Sequence, residues 1–192
     1  MATINGKALV RDGKPLDRAY SNGQLVYGRN LLIGTNSNAK SSLNAGNGAY
    51  ATQYVDFDNG YKYNFSYTKA STNYAVYLFS GLQKDKFKPN TDYVLSFMAN
   101  VSRDIKPGVR FANNASQHNF VKQVTYPTIL SSNGDQKVVI QLRTDSTIPD
   151  ESDQSLYING FVNKVGTFSI WDLKIESGDT ATAWTPAPED YI

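Results

Sequence analysis

Six Asn-Gly pairs punctuate this chain, at Asn5-Gly6, Asn22-Gly23, Asn47-Gly48, Asn59-Gly60, Asn133-Gly134 and Asn159-Gly160. The pair suits the two central positions of a type I′ turn, both of which need positive φ. Such turns join antiparallel strands. Between them no segment keeps the apolar repeat of an amphipathic helix, because Gly, Asn and Pro interrupt every long stretch. The expected class is therefore all-β and antiparallel.

Strand patterning agrees. Tyr93, Leu95, Phe97, Ala99 and Val101 share one parity, with Ser96, Met98 and Asn100 on the other. Val138, Ile140 and Leu142 alternate with Val139, Gln141 and Arg143. Leu156, Ile158 and Val162 alternate with Tyr157, Asn159 and Phe161. Val76 and Leu78 alternate with Ala75, Tyr77 and Phe79, and Val109 and Phe111 flank Arg110. One buried and one solvated face per strand is what an antiparallel sandwich requires. From Gly166 to Glu176 the frame changes: Phe168 and Ile170 share one parity, Leu173 and Ile175 the other. A bulge near Trp171-Asp172 would reconcile them by inserting one residue. About eight short strands with polar turns between them fit a two-sheet jelly-roll β-sandwich.

Residues 1–28 read as a separate N-terminal β arm, and residues 29–192 as the sandwich, opening with a strand at Asn30-Leu31-Leu32-Ile33. A two-residue turn at Asn22-Gly23 would set Tyr20 opposite Leu25 and Ala19 opposite Val26. The arm has too little apolar surface to stand alone, so it is expected to dock on the main domain or on a neighbouring protein.

Composition removes several functions. The chain has no cysteine, so disulfides and Cys-based metal sites are excluded. A net charge of +2 gives no electrostatic footprint for nucleic acid. No apolar run reaches the length of a membrane span, and Met1–Lys14 lacks the apolar stretch of a secretory signal. The single histidine, His118, would have to serve any serine triad, and no G-x-S-x-G, H-E-x-x-H or P-loop occurs. The acidic groups Asp56-Asp58, Asp150-Glu151-Asp153 and Glu189-Asp190 fall in loops or tails, where a solvated role outweighs a glycosidase pair. No enzyme is expected. Thirteen tyrosines, against two tryptophans, point to β structure with a polar recognition surface.

Three segments carry a resemblance. Tyr20-Ser21-Asn22-Gly23-Gln24-Leu25-Val26-Tyr27-Gly28-Arg29-Asn30-Leu31-Leu32 is similar to a junction in tail proteins of phages of lactic acid bacteria and related Gram-positive hosts. There a short β segment precedes an "N-L-L" opening strand. Residues 173–190, from Leu173-Lys174-Ile175-Glu176 through Ala181-Thr182-Ala183-Trp184 to Pro188-Glu189-Asp190, resemble the closing motif of the same modules. Tyr93-Val94-Leu95-Ser96-Phe97-Met98-Ala99 resembles their central strand. The resemblance implies a non-catalytic, jelly-roll carbohydrate-binding module of a phage or prophage distal tail, baseplate or receptor-binding protein. Its implied place is the virion tail, acting at the host cell surface. Its implied partners are host cell-wall polysaccharide and, through the arm, other tail proteins. Two alternatives stand beside it: a tail or baseplate assembly domain without sugar affinity, and an ancillary module of a cell-wall hydrolase. The motif residues themselves are expected to hold the fold. Leu31 and Leu32 would pair with Leu173 and Ile175, and Trp184 would lie over that seam.

A sugar site needs flat apolar faces and planar polar groups in a preformed groove. Aromatics on the non-core parity are the candidates, here Tyr77 and Tyr157. Arg110 points away from two core residues, and its fork suits adjacent hydroxyls. His118 lies in a polar loop, and Trp171 sits at the expected bulge. Each has a plainer reading: exposed tyrosines are common, Arg110 can pair with a carboxylate, His118 can be solvated, and Trp171 can be core. The stripe Tyr61, Tyr63, Phe65 and Tyr67 is expected to face the core or cover a sheet edge. No cofactor is required. The resemblance makes calcium a candidate structural ion, since related jelly-roll sugar modules often carry one near the terminal strands, the area of the hard oxygen groups Asp172 and Glu176; it places no ligand set residue by residue, and no D-x-[DN]-x-[DN]-G loop is present.

Overall fold

The computed structural model describes residues 9–11, 14–33, 35, 49–57, 60–67, 76–82, 84–113, 119–148, 154–160 and 165–191. In the arm, β1 (Val10–Arg11) pairs with β2 (Lys14–Pro15), and β3 (Arg18–Ser21) with β4 (Gln24–Gly28), all antiparallel. Asn22 and Gly23 take φ of 50° and 78°, the positive values a type I′ turn needs. Tyr20 faces Leu25 as the turn predicts. Ala19, however, faces Tyr27 and not Val26, because the register shifts by one residue there. Val26 is left as the extra residue and is exposed.

The main body is an antiparallel β-sandwich. Its strands are β5 (Ala49–Phe57), β6 (Gly60–Tyr67), β7 (Val76–Leu82), β8 (Asp92–Val101), β9 (Gly108–Asn113), β10 (Val121–Gln123), β11 (Gln136–Thr144), β12 (Gln154–Asn159) and β13 (Gly166–Ser177). One sheet has the order β10-β11-β8-β13-β6-β5, the other β7-β12-β9. The core lies between them. Tyr93, Leu95, Phe97 and Ala99 of β8 meet Val109 and Phe111 of β9 and Leu156 and Ile158 of β12 in one buried cluster. Phe87, Phe111 and Phe120 pack edge to face within it, with centroids 5.3–5.9 Å apart. Tyr63 of the aromatic stripe joins the same core. Among the described residues no helix is long and apolar enough to cross a membrane.

The frame change in β13 is a bulge. Trp171 faces Met98, and after one inserted residue Lys174 faces Ser96. Asp172 adopts φ 53° at this point, a left-handed conformation that Asp tolerates better than most residues. The insertion brings Phe168, Ile170, Leu173 and Ile175 all to the core. β7 departs from simple alternation, because two register shifts set Phe79 opposite Leu156 and Val76 opposite Ile158.

Asn30-Leu31-Leu32 is not a strand, contrary to the sequence expectation. The Asn30 side chain does the work of a backbone ladder. Its Oδ1 accepts from Leu32 N (3.0 Å) and Ile175 N (3.2 Å), and its Nδ2 donates to Leu173 O (3.1 Å). Leu31 N donates to Ile175 O (2.8 Å), so the segment still seals against β13. Trp184 covers the seam, its indole donating to Leu173 O (3.1 Å).

Arm and C-terminal segment are joined on the outer face of the larger sheet. Arg18 donates to Ser177 O, and Gly28 N donates to Thr182 Oγ1 (3.1 Å). A Cβ at Gly28 would overlap the Glu176 carboxylate, so only glycine lets β4 lie this close to β13. Glu189 bridges Arg29, just past the arm, and Lys86 (2.6 Å). Burial alone would raise the Glu189 pKa. Hydrogen bonds from Lys86, the backbone and Arg29 instead bring it below the usual carboxylate value. A carboxylate with a lowered folded pKa contributes stability above its unfolded pKa and loses it as pH falls through the folded value. Thermal melts should therefore show a fall in stability below about pH 4.5, the unperturbed glutamate range. Glu189→Gln should be less stable than the parent at pH 7 and show a smaller part of that fall. Identical pH profiles for the two proteins would count against the bridge.

Candidate functional site

β12 is the middle strand of the three-stranded sheet. Leu156 and Ile158 turn into the core, so strand alternation sends Tyr157 and Asn159 to the outer face. The register sets Tyr77 opposite Tyr157 on one side and Arg110 opposite it on the other. Three of the residues singled out from sequence thus form one row across three strands. The Arg110 guanidinium lies 5.6 Å from the centre of the Tyr157 ring, within the range of a cation–π contact.

The row differs from the expected one in one respect. Tyr157 is only 3% exposed, so its ring is not an open stacking platform. It acts as a bed that holds Arg110, which is half-buried, in place. Next along the same face, Asn159 Oδ1 is buried with no hydrogen-bond donor in reach among the described residues. A buried acceptor without a donor calls for an ordered water. Sequence reasoning passed over Asn159 as a turn residue. The available signal was its parity with Tyr157.

Trp171 does not join this row. It lies on the outer face of the six-stranded sheet, on the opposite side of the sandwich. It is buried beneath Lys62, whose Nζ sits 4.3 Å from the ring centre. His118 lies outside the described residues.

The two carboxylates considered for calcium behave differently. Glu176 is buried and committed to protein groups: its oxygens accept from Thr182 N and Thr182 Oγ1, both at 2.8 Å. Lys174 Nζ stands 3.6 Å away, an internal cation where a metal would otherwise balance the charge. Asp172 is half-buried, and burial raises its pKa. Among the described residues no group of three or more His, Cys, Asp or Glu side chains is placed to hold a metal. Of the acidic groups weighed as a hydrolytic pair, Glu189 is tied to Arg29 and Lys86, and Asp190 Oδ2 accepts from Ala187 N (3.1 Å). Asp58 and residues 150–153 lie outside the described residues.

No protein-family model matches the chain, and no curated protein matches it in sequence. Solved structures do match in fold. A family 11 carbohydrate-binding module from Clostridium thermocellum, solved in complex with a β-1,3-1,4-mixed-linked tetrasaccharide, aligns at a TM-score of 0.51 with 16% identity. The match covers 80% of this chain and 97% of that one. The tripod from the baseplate of bacteriophage Tuc2009 aligns at 0.53 with 17% identity, over 86% of this chain and 61% of that one. An arabinose-bound α-L-arabinofuranosidase aligns at 0.53 with 11% identity, over 78% of this chain and only 26% of that enzyme. The fold is an all-β, antiparallel jelly-roll sandwich of the kind found in carbohydrate-binding modules. Identities this low establish the fold alone.

Proposed function

We propose that this chain is a non-catalytic carbohydrate-binding module of a phage tail protein, recognising host cell-wall saccharide during adsorption. The observation that carries the reading is the cross-strand row of Tyr77, Tyr157 and Arg110, continued by the unpartnered acceptor of Asn159. The Arg110 guanidinium, held over the Tyr157 ring, is a planar group of the kind that pairs with vicinal hydroxyls. The fold shared with a tetrasaccharide-binding module supports a saccharide ligand, and the likeness to a phage baseplate component supports a place in the virion tail. Weak single sites would gain from repeated display on such a particle.

The test is binding of a fluorescent fusion to whole Gram-positive cells, competed by their purified cell-wall polysaccharide. Binding to a subset of strains, abolished by that polysaccharide, is the expected result. Arg110→Ala should weaken it about 10- to 100-fold, the worth of hydrogen bonds from a charged group. Tyr157→Phe, which keeps the ring beneath Arg110, should retain most of the affinity. No binding across a broad panel with the protein clustered for avidity would overturn the reading in favour of a structural assembly domain.

A further inference from the structure

We propose a second saccharide site, in the cleft between the arm hairpin and the turn that follows β13. The cleft encloses about 530 Å³ and is lined by Arg18, Tyr20, Gln24, Asp179 and Thr180, with Gly23 and Gly178 in its wall. That volume falls within the range of about 300–1,000 Å³ typical of small-molecule sites.

The walls are built from both parts of the chain. Arg18 donates to Ser177 O, which ties the hairpin to the end of β13. Gly178 has φ +102°, and a Cβ there would overlap the Arg18 guanidinium, so glycine makes the room in which Arg18 sits. Asp179 O accepts from Gln141 Nε2 (3.3 Å), and Thr180 Oγ1 donates to the Asp179 carboxylate (3.0 Å), anchoring the opposite wall.

The chemistry of the lining selects the ligand class. Tyr20 is 60% exposed, so its ring is open in the way that Tyr157 is not. An open aromatic face accepts the apolar side of a pyranose, and an amide, a hydroxyl, a carboxylate and a guanidinium around it match ring hydroxyls. One cation against one anion leaves the cleft balanced, which favours a neutral saccharide over a phosphate or an anionic polymer. This inference rests on the saccharide reading above but uses none of the residues of the Arg110 row. Two sites on one module would raise avidity for a repeating polymer without further contacts.

Amide NMR of the whole chain, titrated separately with cellotetraose, a β-1,3-1,4-linked glucotetraose and fragments of the polysaccharide that competes on cells, tests it. Shifts at Gln24, Gly178 and Thr180 are expected with at least one probe. In Tyr20→Ala these shifts should require about tenfold more ligand. Gln24→Ala should act in the same direction, while the remaining spectrum of both variants, including shifts near Arg110, stays in place. Shifts confined to the Arg110 row, or hairpin shifts unchanged in Tyr20→Ala, would overturn the second site alone. No shift anywhere with any probe would overturn both sites.

Discussion

Lys174→Met should cost about 1–3 kcal/mol of stability in urea denaturation, because it removes the donor of buried hydrogen bonds to Thr182 and Ala183 and leaves the Glu176 carboxylate without a partner. Lys174 is completely buried. Its Nζ donates to Thr182 Oγ1 (2.6 Å) and Ala183 O (2.7 Å) and faces Glu176 at 3.6 Å. Removing the ammonium leaves Glu176, 1% exposed, with a charge and no counter-ion. Adding Glu176→Gln should recover part of the loss, since the amide oxygen can still accept from Thr182 while the stranded charge disappears. A cost under about 0.5 kcal/mol, the size of an ordinary surface change, would sink the account.

The pH dependence is a second signature of the same pair. Burial pushes Lys174 down from 10.5 to about 8, against the opposing pull of Glu176. Between those values the unfolded chain keeps a proton that the native chain has released. The Lys174 contribution to stability therefore rises as pH climbs from about 8 to 10.5. Lys174→Met should lack that rise.

Asn30→Ala should be more damaging, at about 3–5 kcal/mol, and Asn30→Asp should not rescue it. Asn30 is fully buried and ties three separate segments together. Besides its contacts to Leu32 and β13, its Nδ2 reaches Thr35 Oγ1 (3.1 Å) and Thr185 O (3.0 Å). Alanine strands several buried polar groups, each worth about 1–3 kcal/mol when left without a partner, with partial relaxation limiting the sum. Aspartate keeps the acceptor for Ile175 N and Leu32 N, but it loses the donors and places a charge where no water reaches. Denaturation midpoints of the two variants check this. A near-native Asn30→Asp would mean that the donor side of Asn30 contributes little.

The "N-L-L" segment seals against β13 without forming a strand. Its pairing with the closing strand was expected, but a side chain makes most of the bonds that strand pairing would have made. The Asn22-Gly23 turn and the β13 bulge were legible because both are written in adjacent residues. The two shifts in β7 were not, since nothing local marks where an extra residue slips out of register. The Asn-Gly pairs also served more than one purpose. Gly134 and Gly160 take φ of 61° and 126° at strand boundaries, whereas Asn22-Gly23 closes a hairpin.

By itself the sequence determined the strand class, the faces that β8, β9, β11 and β12 bury and the tight turn of the arm, because period-two alternation and turn chemistry act over a few residues. The tertiary structure decided which strands become neighbours. Alternation shows that Arg110 and Tyr157 avoid the core and leaves Trp171 open at the bulge, but it does not show that the first two share a sheet while Trp171 lies on the opposite outer face. Likewise, no local pattern announces that Lys174 and Glu176 will be sealed beneath the arm and the C-terminal segment. Burial of those charges depends on chain segments about 150 residues apart folding over one another, as the Gly28–Thr182 hydrogen bond, 154 residues apart in sequence, records.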